Sequence, residues 1–292
     1  MKKFLAAFLC AAVALSLSAC NDNAETSKDD SKESSVTESK DNSENSAENS
    51  ENSSAGNSEN SEDTNSSANG PETSDVEYAD ASEEDFGYTD YKDGVEITSY
   101  RGKGGAVRVP DTLGGKKVIS IGAVAFENCT SLTGAEIPDS VTEIGNHAFE
   151  GCTGLTSVKL PGSITQISLY AFFYCESLTS VEIPVGVTTL ESGSFGNCTN
   201  LTSVKISDTV TKIDGAFYDC TSLTSVEIPD SVTFIGNESF YGCTSLTSVT
   251  IPDSVTEIGY AFSKCTSLTN ATYKGNTYDY EHIDDLYKAI NG

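Results

Sequence analysis

The chain has 292 residues, 44 acidic against 17 basic side chains, a net charge of −27, two histidines and no tryptophan. That balance argues against nucleic acid and anionic lipid surfaces as partners, since binding them depends on clustered Lys and Arg and none are clustered. So few histidines leave little room for acid–base or nucleophilic catalysis.

Taken in chain order, residues 1–19 are predicted to be a secretory signal: Met1-Lys2-Lys3, an apolar stretch from Phe4 to Leu15, then Leu17-Ser18-Ala19. The apolar segment is too short for a stable membrane span. Leu17-Ser18-Ala19-Cys20 resembles the bacterial lipobox, which implies lipidation of Cys20, a mature chain starting there, and export to the bacterial cell surface. Two or more acyl chains make stable anchoring, whereas one is marginal.

Residues 20–86 are expected to form a disordered linker, because the stretch is nearly all Ser, Asn, Glu, Asp, Thr and Ala and cannot bury enough apolar surface to offset its ordering entropy. Residues 21–86 hold 20 acidic and 3 basic side chains, against 24 and 12 in residues 87–292. Self-repulsion should extend the linker beyond its random-coil span of roughly 45 Å.

The remainder repeats itself. CTSLTGAEIPDSVTEIG starts at Cys129, CTSLTSVEIPDSVTFIG at Cys220 and CTSLTSVTIPDSVTEIG at Cys243. Cysteines at 129, 152, 175, 198, 220, 243 and 265 keep step with phenylalanines at 126, 149, 172, 195, 217, 240 and 262. A period of 22 or 23 residues is the mark of a solenoid. Ordering one unit costs about 1.5 kcal/mol per residue, and burying a large apolar side chain returns only about 1.5–3 kcal/mol, so stacking on neighbours must supply the difference. In the unit from Cys220 the apolar positions are Cys220, Leu223, Val226, Ile228, Val232, Ile235 and Phe240. Leu223, Val226 and Ile228 end in the alternation of a half-buried strand. Pro229 stops that strand, Asp230 and Ser231 are turn residues, and the chain re-enters the core at Val232 and Ile235.

The pattern L-x-x-V-x-I-P-x-x-V-x-x-I-G-x-x-A-F-x-x-C resembles the leucine-rich repeats, and within them the BspA-type subfamily of bacterial surface proteins. The resemblance covers roughly residues 88–270, with Val107, Pro110, Val118, Ile121, Ala125 and Phe126 in the place of a longer first repeat. It implies a right-handed coil with short parallel strands lining one face, joined by turns, and it implies no enzymatic activity. The repeats ending at Cys220 and Cys265 lack one residue before Ala-Phe, and Ser207 replaces the usual proline. The solenoid is taken as 87–270, and residues 271–292 as a terminal cap in which Ile283, Leu286, Tyr287 and Ile290 have helical spacing.

Chemistry is sparse along this repeat. With Cys10 in the signal and Cys20 as lipid site, seven cysteines remain, one per repeat at an apolar place, which suits buried thiols rather than disulfides or a metal site. His147 lies five residues before Cys152, but that cysteine belongs to the inward row, and His282 falls in the cap. The aspartates of Pro-Asp-Ser at 139, 230 and 253 read as turn formers, because Gly162 and Val185 interrupt any calcium-binding row. No cofactor is implied. On the strand, Glu136, Lys159, Glu182, Lys205 and Glu227 alternate in sign, which explains itself as cross-strand pairing.

Aromatics outside the core pattern remain as the candidate binding surface. Phe173, Tyr218 and Tyr241 follow the core phenylalanine in one register, with Tyr170, Tyr174, Phe234 and Tyr260 nearby. Such a row either packs between coils or recognises a partner. The expected function is a non-enzymatic, lipid-anchored adhesion module that binds an extracellular protein. The alternatives are a structural spacer or coat protein, or a carbohydrate-binding accessory lipoprotein.

Overall fold

The computed structural model describes residues 76–292, so the signal, the Cys20 lipid site and residues 20–75 of the expected linker lie outside the described residues. The described chain is a β-solenoid of about eight turns with mostly parallel strands. Its N-terminal part holds β1 (Ala79–Asp80), β2 (Phe86–Tyr91), β3 (Gly94–Tyr100), β4 (Gly105–Arg108), β5 (Thr112–Leu113) and β6 (Lys116–Ile121). Each later coil contributes one strand after the cysteine and a shorter one after the proline turn. They are β7 (Leu132–Glu136) with β8 (Glu143–Ile144), β9 (Ser157–Lys159) with β10 (Gln166–Ile167), and β11 (Ser180–Glu182) with β12 (Thr189–Leu190). They continue as β13 (Ser203–Lys205) with β14 (Lys212–Ile213), β15 (Ser225–Glu227) with β16 (Phe234–Ile235), and β17 (Ser248–Ile251) with β18 (Glu257–Ile258). The hairpin β19 (Asn270–Tyr273) and β20 (Asn276–Tyr278) and helix α1 (Ile283–Asn291) end the chain.

Stacking follows the period. Ser225, Val226 and Glu227 pair in parallel with Ser248, Val249 and Thr250, so equivalent residues of successive coils sit side by side. Every apolar position of the Cys220 unit is buried. The core phenylalanines form one stacked column from Phe126 to Phe262, with ring centroids 4.7–5.7 Å apart. Tyr100 extends it by one ring, 5.0 Å from Phe126.

The seven repeat cysteines are buried. From Cys152 onward each Sγ donates to the carbonyl of the previous coil's phenylalanine, as in Cys152 to Phe126 at 3.0 Å and Cys265 to Phe240 at 3.0 Å. Burial raises the thiol of Cys175 well above its ordinary value and pushes Cys198 up to about 12.

Ser and Thr do more than end strands. Ser140, Ser163, Ser231 and Ser254 of the proline turns donate to the carbonyls of Val118, Val141, Val210 and Val232 in the coil before, at 2.6–2.7 Å. Thr156 and Thr202 do the same to Thr133 and Thr179 at 2.8 and 3.1 Å. The turn serines are therefore rungs between coils as well as local turn formers. The strand charges pair as their alternation predicts: Glu136 accepts from Arg108 at 2.8 Å and Lys159 at 3.3 Å, and Glu182 from Lys205 at 2.5 Å. Such exposed pairs add register more than stability.

Both strand ladders break together at one level, between β9 and β11 and between β10 and β12, and the ladder after the cysteine breaks again between β13 and β15. At the shared break the Asp-Ser of the turn is replaced by Val185-Gly186, with Gly186 at φ +120° and Val185 exposed. The phenylalanine side carries on across the gap through Phe149 N–H to the Ala171 carbonyl at 2.7 Å and Phe172 N–H to the Ser194 carbonyl at 2.9 Å.

Ordered structure starts before residue 87. Tyr78 and Phe86 are buried and β1 pairs with β4, so residues 76–86 belong to the folded N-terminal end and not to a linker extending through 86. At the C-terminal end, Ile283, Leu286, Tyr287 and Ile290 are the buried residues of α1. No helix among the described residues is long and apolar enough to cross a membrane.

Candidate binding surface

Around each core phenylalanine from Phe126 to Phe240 the backbone takes a left-handed conformation twice, two residues before and two residues after it; around Phe262 it does so once, at Lys264. The first coil does so at Val124 (φ 55°) and Asn128 (φ 57°), the next at His147 (φ 57°) and Gly151 (φ 70°). This geometry turns alternate amides toward the next coil: Val124, Phe126 and Asn128 donate to the carbonyls of Asn146, Ala148 and Glu150 at 2.7–3.0 Å. Glycine and asparagine fit such places at little cost, and bulky side chains do not. Other coils use Gly193, Gly215 and Gly242, Asn197 and Asp219, or Glu238 and Lys264 there.

The third coil puts tyrosine at both. Tyr170 has φ 57° and Tyr174 φ 56°, with Phe173 between them. The Tyr170 ring meets Phe173 edge-on at 5.2 Å, Phe173 meets Tyr174 at 4.2 Å, and Phe173 meets Tyr218 at 5.5 Å. The last contact skips a coil. It closes because the intervening residue is Gly196, where a Cβ would stand 2.8 Å from the Tyr218 ring and 3.1 Å from the Phe173 ring. Gly193 clears Tyr170 in the same way, its notional Cβ falling 2.3 Å from that ring. Two glycines of the fourth coil thus let aromatics of the third and fifth coils converge.

Tyr170, Phe173 and Tyr218 are half-buried, and Tyr174 is exposed. Burial raises the Tyr218 phenol above its ordinary value, with nearby Tyr170, Tyr174 and Asp219 adding to the shift, while a hydrogen bond with the Asn197 side chain opposes it. His147 lies over Tyr170 with ring centroids 5.1 Å apart and bonds Glu150 through Nδ1. It is turned away from any pairing with Cys152, whose thiol points into the core.

The other three candidate residues lie elsewhere. Tyr241 shares the register of Phe173 and Tyr218 but lies under Lys264, whose Nζ is 4.8 Å from its ring centre. Phe234 sits on β16 under Lys212 at 4.8 Å. Tyr260 is exposed beside the cap and meets Tyr287 edge-on at 5.7 Å. The seven aromatics therefore form one cluster of four and three separate contacts. Gly193 and Gly196 were the missed members of the site. Their signal in the sequence was small residues where neighbouring coils carry His, Tyr, Glu or Phe.

His282 is exposed in the cap and bonds Asp279 at 2.7 Å, which raises its pKa. Among the described residues no group of three or more His, Cys, Asp or Glu side chains is placed to hold a metal ion.

Parallel short strands, an inward row of Leu, Val, Ile, Phe and Cys, and a 22–23-residue period define a leucine-rich-repeat solenoid protein. The BspA type leucine rich repeat region matches in six copies over residues 119–216 and 214–283, and the chain belongs to that family. Among solved structures, a leucine rich repeat protein of T. pallidum is 31% identical, with a TM-score of 0.50 over 66% of this chain and 81% of its own. A leucine-rich repeat protein from Bacteroides ovatus ATCC 8483 is 24% identical, with a TM-score of 0.39 over 64% and 69% of the two chains. A leucine rich cell surface protein from Faecalibacterium prausnitzii A2-165 is 21% identical, with a TM-score of 0.31 over 70% and 96%. No curated protein matches. Leucine-rich-repeat proteins in general mediate protein–protein interaction.

Proposed function

We propose that this protein is a non-enzymatic adhesion module, lipid-anchored through Cys20 at the bacterial cell surface, which binds an extracellular protein through Tyr170, Phe173, Tyr174 and Tyr218. The observation that carries the reading is the placement of two tyrosines in left-handed backbone beside a phenylalanine. Nothing in the fold requires them there: the fourth coil fills both places with Gly193 and Asn197, and the other coils that use both places keep Gly, Asn or Asp in at least one of them. A bulky side chain at such a backbone costs on the order of 1–2 kcal/mol, and strain of this kind gathers at functional sites. Half-buried aromatics held against one another also suit recognition, because little side-chain entropy remains to be lost on binding.

The surface-displayed binder is favoured over a spacer or coat component because a spacer gains nothing from the strained pair. Export is supported by the Met1–Leu15 leader and anchoring by Leu17-Ser18-Ala19-Cys20. The test is capture from an extracellular-protein pool by the full chain and by a variant combining Tyr170→Gly, Phe173→Ser and Tyr174→Asn, substitutions copied from Gly193, Ser263 and Asn197 in the same registers. A partner captured by the native chain and lost by a folded variant supports the reading. Equal capture by both moves the site off the cluster.

A further inference from the structure

Five aromatic rings of the solenoid each lie under one of the chain's own lysines. They are Tyr91 under Lys92, Tyr78 under Lys159, Phe234 under Lys212, Tyr241 under Lys264 and Tyr273 under Lys274, with Nζ 4.5–4.8 Å from the ring centre. Among the described residues no lysine or arginine lies over Phe173, Tyr174 or Tyr218. Their surroundings would attract one. The segments flanking the first six core phenylalanines, residues 122–129, 145–152, 168–175, 191–198, 214–220 and 236–243, contain Glu127, Glu150, Glu191, Asp214, Asp219 and Glu238 and no Lys or Arg. Asp214 takes Lys212 at 2.9 Å and Glu150 takes His147. Glu127, Glu191, Asp219 and Glu238 have no ion-pair partner among the described residues. Lys159, Lys205 and Lys212 stand on strand faces instead, and Lys264, in the seventh such segment, lies over Tyr241.

We infer that the cluster docks an arginine-bearing segment of a protein partner, with a guanidinium laid on the Phe173–Tyr218 surface and the surrounding carboxylates drawing it in. This deepens the binding-surface reading and rests on it. Guanidinium is the cation that fits, since it is planar, stacks on aromatic faces and gives up hydration more readily than an ammonium group. An aromatic surface with acid around it gives a cation both a face to stack on and a local negative potential, so one substituent satisfies both features of this side of the solenoid.

The experiment titrates the full chain with a short peptide of alternating glycine and arginine at physiological ionic strength. The same peptide with citrulline in place of arginine keeps the shape and removes the charge. Binding should be seen with arginine and not with citrulline, the ring resonances of Phe173 and Tyr218 should shift, and the Tyr170→Gly, Phe173→Ser, Tyr174→Asn variant should bind about tenfold more weakly. A second variant, Glu191→Gln with Glu238→Gln, leaves every ring contact in place and should also weaken binding, which keeps the test decisive if the first fails to fold. Equal affinity of both variants would trace the attraction to the acidic segment before residue 87 and overturn the inference. So would equal binding of the citrulline peptide, or a cello-oligosaccharide that shifts the ring resonances where the arginine peptide does not. If the aromatic variant loses its captured protein yet binds the arginine peptide unchanged, the binding-surface reading stands and only the cationic partner falls.

Discussion

The hydroxyl of Tyr287 accepts a hydrogen bond from the backbone N–H of Phe262 at 2.9 Å, in the place where every earlier core phenylalanine finds a carbonyl of the next coil. Phe240 donates to Ala261, Phe217 to Ser239 and Phe195 to Ala216, each at 2.9 Å. Asn291 does the same for β18, accepting from Ile258 N–H at 3.0 Å and donating to the Ile258 carbonyl at 2.8 Å. Two side chains of α1 thus stand in for the backbone of an absent coil and satisfy an edge that would otherwise recruit another chain. Tyr287→Phe should leave the buried Phe262 amide without an acceptor and lower stability by about 1–3 kcal/mol. Hydrogen exchange should show the Phe262 amide opening first, while Phe149 near the other end keeps its protection. Unchanged exchange at Phe262 would mean that water replaces the phenol.

Two serines take the place that alanine holds in other coils, with opposite expectations. Ser239 Oγ donates to the Ile213 and Gly236 carbonyls and accepts from Gly215 N–H at 3.1 Å, which fills the coil shortened by one residue. The buried Ser194 hydroxyl has no hydrogen-bond partner among the described residues. Ser239→Ala should therefore destabilise by about 1–3 kcal/mol, and Ser194→Ala should be neutral or stabilising. Urea midpoints of the two variants measured together decide this, and equal losses would refute the assignment.

The thiol column sets an alkaline limit on the fold. Burial pushes Cys198 and Cys265 up to about 12 from an ordinary value of 9.0. Below pH 9 both states keep their protons and the contribution is intact. Between about 9 and 12 the unfolded chain releases protons that the folded chain retains, so stability falls by up to about 1.4 kcal/mol per pH unit for each such thiol. Denaturation midpoints at pH 8 and pH 10 should differ accordingly, and replacing Cys198 by Ala should flatten the slope. Alkylation of the repeat cysteines should be slow until the protein unfolds. Fast labelling of several in the native state would contradict the burial.

Phe195 stands in the middle of the stacked column, 5.2 Å from Phe172 and 5.7 Å from Phe217. Phe195→Ala should cost roughly 3–5 kcal/mol. Because each coil rests on its neighbours alone, the loss should appear as a transition in two steps, the coils on either side separating in stability. A single sharp transition with a small shift would show that the column tolerates the gap.

Lipid anchoring gives a direct chemical test. Mass spectrometry of the N-terminal peptide should find Cys20 as the first residue and acylated, and Cys20→Ala should release the protein into the medium. An unmodified Cys20 in membrane-bound protein would remove the anchor from the proposed function.

The sequence by itself determined the period, the inward positions and the helical cap. In a solenoid the residue at a given register meets the same register of the next coil, as Val226 meets Val249, so one repeat read correctly describes the others. It also determined which thiols are buried, because their place is one of the apolar ones. It did not determine where the aromatic row breaks. Phe173, Tyr218 and Tyr241 share one register, yet two of them close over Gly196 while the third lies under Lys264. Register fixes the side of the coil a residue faces. What lies beside it comes from other coils, more than 20 positions away in the chain, and a missing side chain there matters as much as a present one. The left-handed backbone of Tyr170 and Tyr174 was likewise decided by the amide ladder between coils, a tertiary demand that overrides the preference of tyrosine for other conformations.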